Sequence, residues 1–220
     1  MEKRRIGIMG GTFSPIHNAH LYMAESARIE YNLDRVIFIP SGVSYLKKDI
    51  DMPDGNTRFN LVKRAIEDNP FFTVSRIEID RPGDTYTIET LEQLSELYPG
   101  DEFYFIVGAD SLNMIDKWVR FDEILSSCTL LAMVRDESDS ASLDERIAYL
   151  KSIVPSARID VIHAGRIDIS STMIRERIKN GISVKYLLPD KCIEYIAANN
   201  LYCGEKEKDI NELPDKIIGF

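Results

Sequence analysis

The sequence predicts an α/β protein: a Rossmann-like, doubly wound parallel sheet with C-terminal helices. Two observations lead there. Short apolar runs of strand length alternate along the chain with longer segments whose apolar residues recur every three or four positions, the βαβ signature. Strand ends also open into glycine turns or polar loops, at Gly10-Gly11 and Gly108, which is where doubly wound sheets collect ligands.

Taken in order, Arg5 to Met9 is an Ile-rich run bounded by Gly10 and Gly11, a buried strand ending in a tight turn. A helix follows from Asn18, the expected N-cap, with Leu21, Ala24, Ala27 and Tyr31 on one face. Arg35 to Pro40 (RVIFIP) is the second strand and leads into a polar loop. Asn56 or Thr57 can cap a helix from Arg58 to Asp68, and Asn69-Pro70 ends it. Phe72 to Ile79 alternates like a strand with one wetter face. A helix marked by Ile88, Leu91, Leu94 and Leu97 stops before Pro99. Glu102 to Val107 (EFYFIV) is the strongest strand, and Thr129 to Val134 (TLLAMV) is the next. The helix SASLDERIAYLKSIVP turns Leu143, Ile147 and Leu150 inward, and residues 158 to 165 form the sixth strand. A helix after Thr172 and a closing segment, VKYLLPDKCIEYIAANNLY, complete the domain, expected over residues 1–203. Residues 204–220 form a charged tail with an apolar end.

Composition narrows the function. A chain of 220 residues can bury a sizeable core, and a formal charge of −9 argues against general attraction to nucleic acid or an anionic membrane. An anionic substrate would have to be held by local groups. Cys128, Cys192 and Cys203 are scattered and have no CxxC spacing, so neither a disulfide framework nor a zinc site is indicated. The first apolar run is too short for a signal-peptide core and no run reaches membrane-spanning length, so a cytoplasmic protein is expected.

The chemistry concentrates at GGTFSPIHNAH. A strand, a double-glycine turn and a helix start surround His17 and His20, two of the three histidines in the chain. Helix N-termini offer free N–H groups, and Gly10 and Gly11 let backbone amides approach a phosphate closely. The turn is neither a P-loop nor GxGxxG. Its imidazoles suit hydrogen bonding to phosphate oxygens, with the protonated forms favoured by the anion they contact. A metal site is the weaker alternative, because Pro15 and the turn place His17 before the helix and no third ligand accompanies the pair. Ser170, Ser171 and Thr172 precede a second helix start, with Arg175 one turn later, and form a second anion cradle. At the end of the strongest strand, Gly108 permits close approach, Asp110 can accept hydrogen bonds or contact a metal-bound water, and Trp118 offers a flat face for a base. Alone, Trp118 would read as core.

GGTFSPIHNAH resembles the GGxFDPxHxGH signature of nucleotidyltransferases carrying the (H/T)xGH motif. More narrowly, the chain resembles the bacterial nicotinate-nucleotide adenylyltransferases over residues 4 to 202, with Ser14 and Ala19 standing where that family usually has Asp and Gly. The resemblance implies transfer of the adenylyl group of ATP to nicotinate mononucleotide, with Mg²⁺ on the ATP phosphates and no dedicated metal site in the protein. It implies catalytic roles for His17, His20 and Arg175. ATP contacts would come from Gly10, Gly11, Thr12, Phe13, Gly108, Asp110, Ser170, Ser171 and Thr172, the last three in the ISSTMIR match to the family's ISSTxIR. Acceptor contacts would come from Lys47, Tyr86, Thr87, Trp118 and Arg135. Lys47 is the one match of SYLK to the family's PPHK, and by itself it reads equally as solvated charge. Thr87, by itself, reads as a helix cap. Two rivals remain: a pantetheine-phosphate adenylyltransferase, which shares the histidine motif but needs neither TYTIET nor Trp118, and a nucleotide sensor that has lost turnover.

Overall fold

The computed structural model describes residues 3–42, 52–133, 140–163, 165 and 167–204. Six parallel strands form one sheet in the order β3-β2-β1-β4-β5-β6. They are β1 (Arg5–Gly11), β2 (Arg35–Pro40), β3 (Phe72–Val74), β4 (Glu102–Gly108), β5 (Thr129–Met133) and β6 (Arg158–Ile162). The helices are α1 (Asn18–Glu30), α2 (Gly55–Ile66), α3 (Thr87–Leu97), α4 (Ala109–Met114), α5 (Phe121–Ser127), α6 (Ser140–Ile153), α7 (Ser171–Lys179) and α8 (Asp190–Ala198). This is the doubly wound, Rossmann-like arrangement. The direction in which successive strands are added to the sheet reverses between β1 and β4, and a crevice forms where it does.

Strand side chains alternate between two cores. Ile6 and Ile8 of β1, Ile37 and Ile39 of β2, and Phe103, Phe105 and Val107 of β4 pack with Leu91 of α3, Ile124 of α5 and Leu150 of α6. On the other face Met9, Phe38 and Ile106 pack with Leu61 of α2, Ile174 of α7 and Ile193 of α8. Both faces of β1, β2 and β4 are therefore covered, which is why these strands read as continuous apolar runs. Gly7 is required by close packing: a Cβ there would lie 2.9 Å from Leu33 Cδ1 and 3.1 Å from Val36 Cγ2. Among the described residues no helix is long and apolar enough to cross a membrane.

Four boundaries differ from the sequence expectation. His17, not Asn18, is the N-cap of α1 and has an extended backbone, while the Asn18 side-chain amide donates to the Tyr186 carbonyl at 2.7 Å. Helix α2 begins earlier than expected because Asp54, not Asn56 or Thr57, caps it, accepting from the Thr57 N–H at 2.7 Å. Strand β3 ends at Val74 because the Ser75 hydroxyl accepts the Ile77 N–H at 3.2 Å and turns the backbone out of the sheet. Strand β6 pairs with β5 only as far as Ile162. The expected tail from residue 205 onward lies outside the described residues.

Candidate active site

The histidine turn is built from the strand end outward. After Gly11, Phe13 takes a left-handed backbone (φ 48°) that drops its ring into the core, edge-on to His20 with ring centroids 5.2 Å apart. The chain then enters α1 with the His17 and His20 ring centroids 3.7 Å apart and their planes tilted by 32°. The His17 backbone N–H donates to His20 Nδ1 at 3.2 Å. An Nδ1 that accepts a hydrogen bond carries no proton, so the neutral His20 ring keeps its proton on Nε2. His17 Nδ1 is buried and has no hydrogen-bond partner among the described residues.

Burial holds the His17 pKa down at about 4. His20 lies well below its usual value, through burial first and the charge of neighbouring His17 second. The sequence expectation of protonated imidazoles concerns rings in contact with an anion; in the ligand-free protein burial favours the neutral form of both. Both rings are neutral near pH 7 and offer N–H groups, not full charges.

Helix α7 is tied to the same turn. Ser170 caps it, accepting from the Met173 N–H at 3.2 Å, and the Ser171 hydroxyl donates to the Pro15 carbonyl at 2.8 Å. Arg175 donates to the Ser14 carbonyl at 2.7 Å and to the Thr172 hydroxyl at 3.1 Å. The Ser14 hydroxyl lies 3.2 Å from the Tyr202 hydroxyl, so this residue anchors the C-terminal end of the domain to the turn.

Two cavities open at the strand ends. The larger, about 440 Å³, is lined by His17, Ala19, His20, Gly108, Ser170 and Ser171, among others. The smaller, about 330 Å³, is lined by Gly11, Thr12, Ile39, Ser41, Glu78 and the Thr85–Thr87 segment, among others. They share Gly10, Phe105, Asp110, Ser111 and Trp118. Trp118 stands edge-on to Phe105, with ring centroids 6.2 Å apart, at this shared wall. Among the described residues no group of three or more His, Cys, Asp and Glu side chains could hold a metal ion.

Most of the residues singled out from sequence meet here: His17, His20, Gly10, Gly11, Thr12, Gly108, Asp110, Ser170, Ser171, Tyr86, Thr87 and Trp118. Phe13, Thr172 and Arg175 line neither cavity. Phe13 is under His20, and Thr172 and Arg175 bond to each other behind the turn. Thr87 is the first residue of α3, and Tyr86, not Thr87, is its N-cap. Lys47 and Arg135 lie outside the described residues.

Sequence reading missed Arg58, Ser41 and Glu78. Arg58 is 3% exposed and donates to the carbonyls of Pro53 (3.1 Å), Thr12 (2.9 Å) and Ser41 (2.6 Å). Burial pulls its pKa down. Glu78 accepts from the Thr90 hydroxyl at 2.8 Å and also bonds Thr85 and the Gly42 N–H, while burial pushes its carboxyl up. No sequence signal marked Glu78, which alternates with Ile77 and Ile79 like any residue on the wetter face of a strand.

The cytidylyltransferase-like family matches residues 8–177. A Moorella thermoacetica protein named "Probable nicotinate-nucleotide adenylyltransferase" is 43% identical, with 90% of this chain and 91% of that protein covered. A Lachnoclostridium phytofermentans protein of the same name is 39% identical, with 90% and 99% covered. Among solved structures, Plasmodium falciparum nicotinic acid mononucleotide adenylyltransferase complexed with NaAD superposes with a TM-score of 0.71 at 20% identity, covering 90% of this chain and 97% of that one. That likeness bears on the fold, and the sequence relatives decide the family: the chain belongs to the cytidylyltransferase-like family and, within it, to the nicotinate-nucleotide adenylyltransferases.

Proposed function

We propose that this protein transfers the adenylyl group of ATP to nicotinate mononucleotide, giving nicotinate adenine dinucleotide and pyrophosphate, in NAD biosynthesis in the cytoplasm. The observation that carries the reading is that two cavities lie side by side beyond the ends of β1 and β4 and share Gly10, Asp110 and Trp118 as lining residues. ATP occupies the cavity with the histidines and the α7 N-terminus, and the mononucleotide occupies the one with the Thr85–Thr87 segment. Their phosphates then meet at the seam. Residues 1–203 form the catalytic unit, and residues 204–220 an appended tail.

An oxygen of the acceptor's phosphate attacks the α-phosphorus of ATP, and the bond from that phosphorus to the β-bridging oxygen breaks. The acceptor phosphate is already an anion at neutral pH, so no proton has to be removed and no general base is needed. Catalysis then rests on positioning and on stabilising charge on the phosphoryl oxygens. His17 and His20 donate N–H groups to those oxygens, and the Ser171 amide at the start of α7 adds to them. Arg175 works at one remove, holding the Ser14 carbonyl and with it the turn that carries both histidines.

Mg²⁺ bound to the ATP phosphates would neutralise further charge. Asp110 lines both cavities and suits a metal-bound water, and the site has room for an ion brought in mainly by its phosphate ligands. The ring carboxylate of the acceptor takes N–H groups of the Tyr86–Thr87 segment, and the ring lies against Trp118. The test is pyrophosphate release from ATP with nicotinate mononucleotide or phosphopantetheine supplied separately. Release with the first and not the second is expected; preference for phosphopantetheine, or release with neither, would overturn the reading.

A further inference from the structure

Below the acceptor cavity, one peptide group is gripped from both ends. The Ser41 carbonyl accepts from the Arg58 guanidinium at 2.6 Å, and the N–H of the same peptide, that of Gly42, donates to Glu78. Arg58 and Glu78 come from separate segments, α2 and the turn after β3; Arg58 is buried and Glu78 half-buried. No Cβ fits at Gly42, where it would stand 2.2 Å from the Glu78 carbonyl oxygen and 2.8 Å from Thr85 Cγ2. Ser41 lines the acceptor cavity, and its Oγ, shielded from water, has no hydrogen-bond partner among the described residues. A shielded hydroxyl without a partner costs free energy that a ligand can recover.

The location limits the ligand. The Ser41 N–H donates to the Gly11 carbonyl at 2.8 Å, so Ser41 sits beside the β1 turn and the seam at Gly10, with the Thr85–Thr87 segment on the same cavity wall system. A mononucleotide whose ring lies at Thr87 and whose phosphate reaches Gly10 passes Ser41 with its ribose phosphate.

We infer that Ser41 binds an oxygen of the acceptor's ribose phosphate, and that Arg58 and Glu78 are positioning residues that fix its peptide. This rests on the function proposed above. The ring carboxylate and the ATP phosphates are held elsewhere, so the clamp should act on the acceptor and leave ATP binding nearly untouched.

The experiment is steady-state kinetics of S41A, E78Q and the double variant with nicotinate mononucleotide, alongside thermal melting. S41A is expected to raise the acceptor KM by roughly 5- to 10-fold, with the ATP KM changing by less than about threefold. E78Q should raise the same KM, and the double variant should exceed the worse single variant by no more than about twofold, because the hydroxyl being positioned is already gone. If E78Q melts below the assay temperature, R58K, which keeps the charge and loses the guanidinium fork, replaces it in the same cycle. An unchanged acceptor KM in S41A, or singles whose effects multiply in the double variant, would overturn the inference while leaving the function standing. A wild-type protein that does not adenylylate nicotinate mononucleotide would overturn both.

Discussion

Acidification should destabilise the ligand-free protein through His17, by an amount that the structure sets. The folded chain holds the His17 pKa at about 4 against an ordinary 6.5, because the ring is buried and its Nδ1 has no partner among the described residues. The unfolded chain takes up the proton first as the pH drops, so the stability is fully present above pH 6.5. It is lost as the pH falls through the window from 6.5 to about 4 and is gone below it. At about 1.4 kcal/mol per pKa unit the whole window is worth about 3 kcal/mol, and the part between pH 7 and pH 5 about 2 kcal/mol. His20 adds to the loss with the same sign. Urea unfolding of wild type and His17→Gln at pH 7, 6 and 5 reads it directly, since carboxylates that titrate nearby contribute to both proteins and drop out of the difference. The wild type should lose about 2 kcal/mol more than the variant between pH 7 and 5. Parallel pH profiles would show that His17 is not held neutral by burial, and the picture of uncharged imidazole donors would go with it.

Three further outcomes are expected. His20→Ala and Arg175→Ala should each lower kcat by roughly 10²-fold or more in the pyrophosphate-release assay, with circular dichroism unchanged, because neither side chain belongs to the two apolar cores. Nicotinate mononucleotide should be preferred to nicotinamide mononucleotide by at least about tenfold in kcat/KM, since the amide loses the carboxylate's charge and turns an NH₂ toward N–H donors. Gly7→Ala should cost about 1–3 kcal/mol of stability by urea unfolding, because its Cβ would press within 2.9 Å of Leu33 and 3.1 Å of Val36 at the centre of the sheet.

What the sequence revealed and what it hid follow from the range of the interactions involved. Strands β1, β2, β4 and β5 are legible because both their faces are buried, so after its first residue each is a run without charged side chains. Strand β3 is at the sheet edge, and its end is decided by the Ser75 hydroxyl, a local competitor that alternation cannot show. His17, His20 and the Ser170-Ser171 cap were readable because glycine turns and helix starts mark their own backbone geometry. Arg175 was readable as a residue of the motif but not as to its partner, the Ser14 carbonyl, which is 161 positions away in sequence. Arg58 and Glu78 were invisible for the same reason. A charged residue at the start of a helix or in an alternating run reads as solvated, and only the fold brings each to one end of the Ser41–Gly42 peptide.

The central claim is direct transfer between substrates whose phosphates meet at the seam of two cavities, with no adenylyl group resting on the protein. The stereochemistry at phosphorus tests it in one measurement. The protein is given nicotinate mononucleotide and adenosine 5′-O-(1-thiotriphosphate) of a single configuration at the α-phosphorus, and the dinucleotide product is analysed by ³¹P NMR. A single in-line displacement predicts a phosphorothioate dinucleotide of inverted configuration, formed one for one with pyrophosphate. Retention of configuration would require a covalent adenylyl-protein intermediate and would contradict the account.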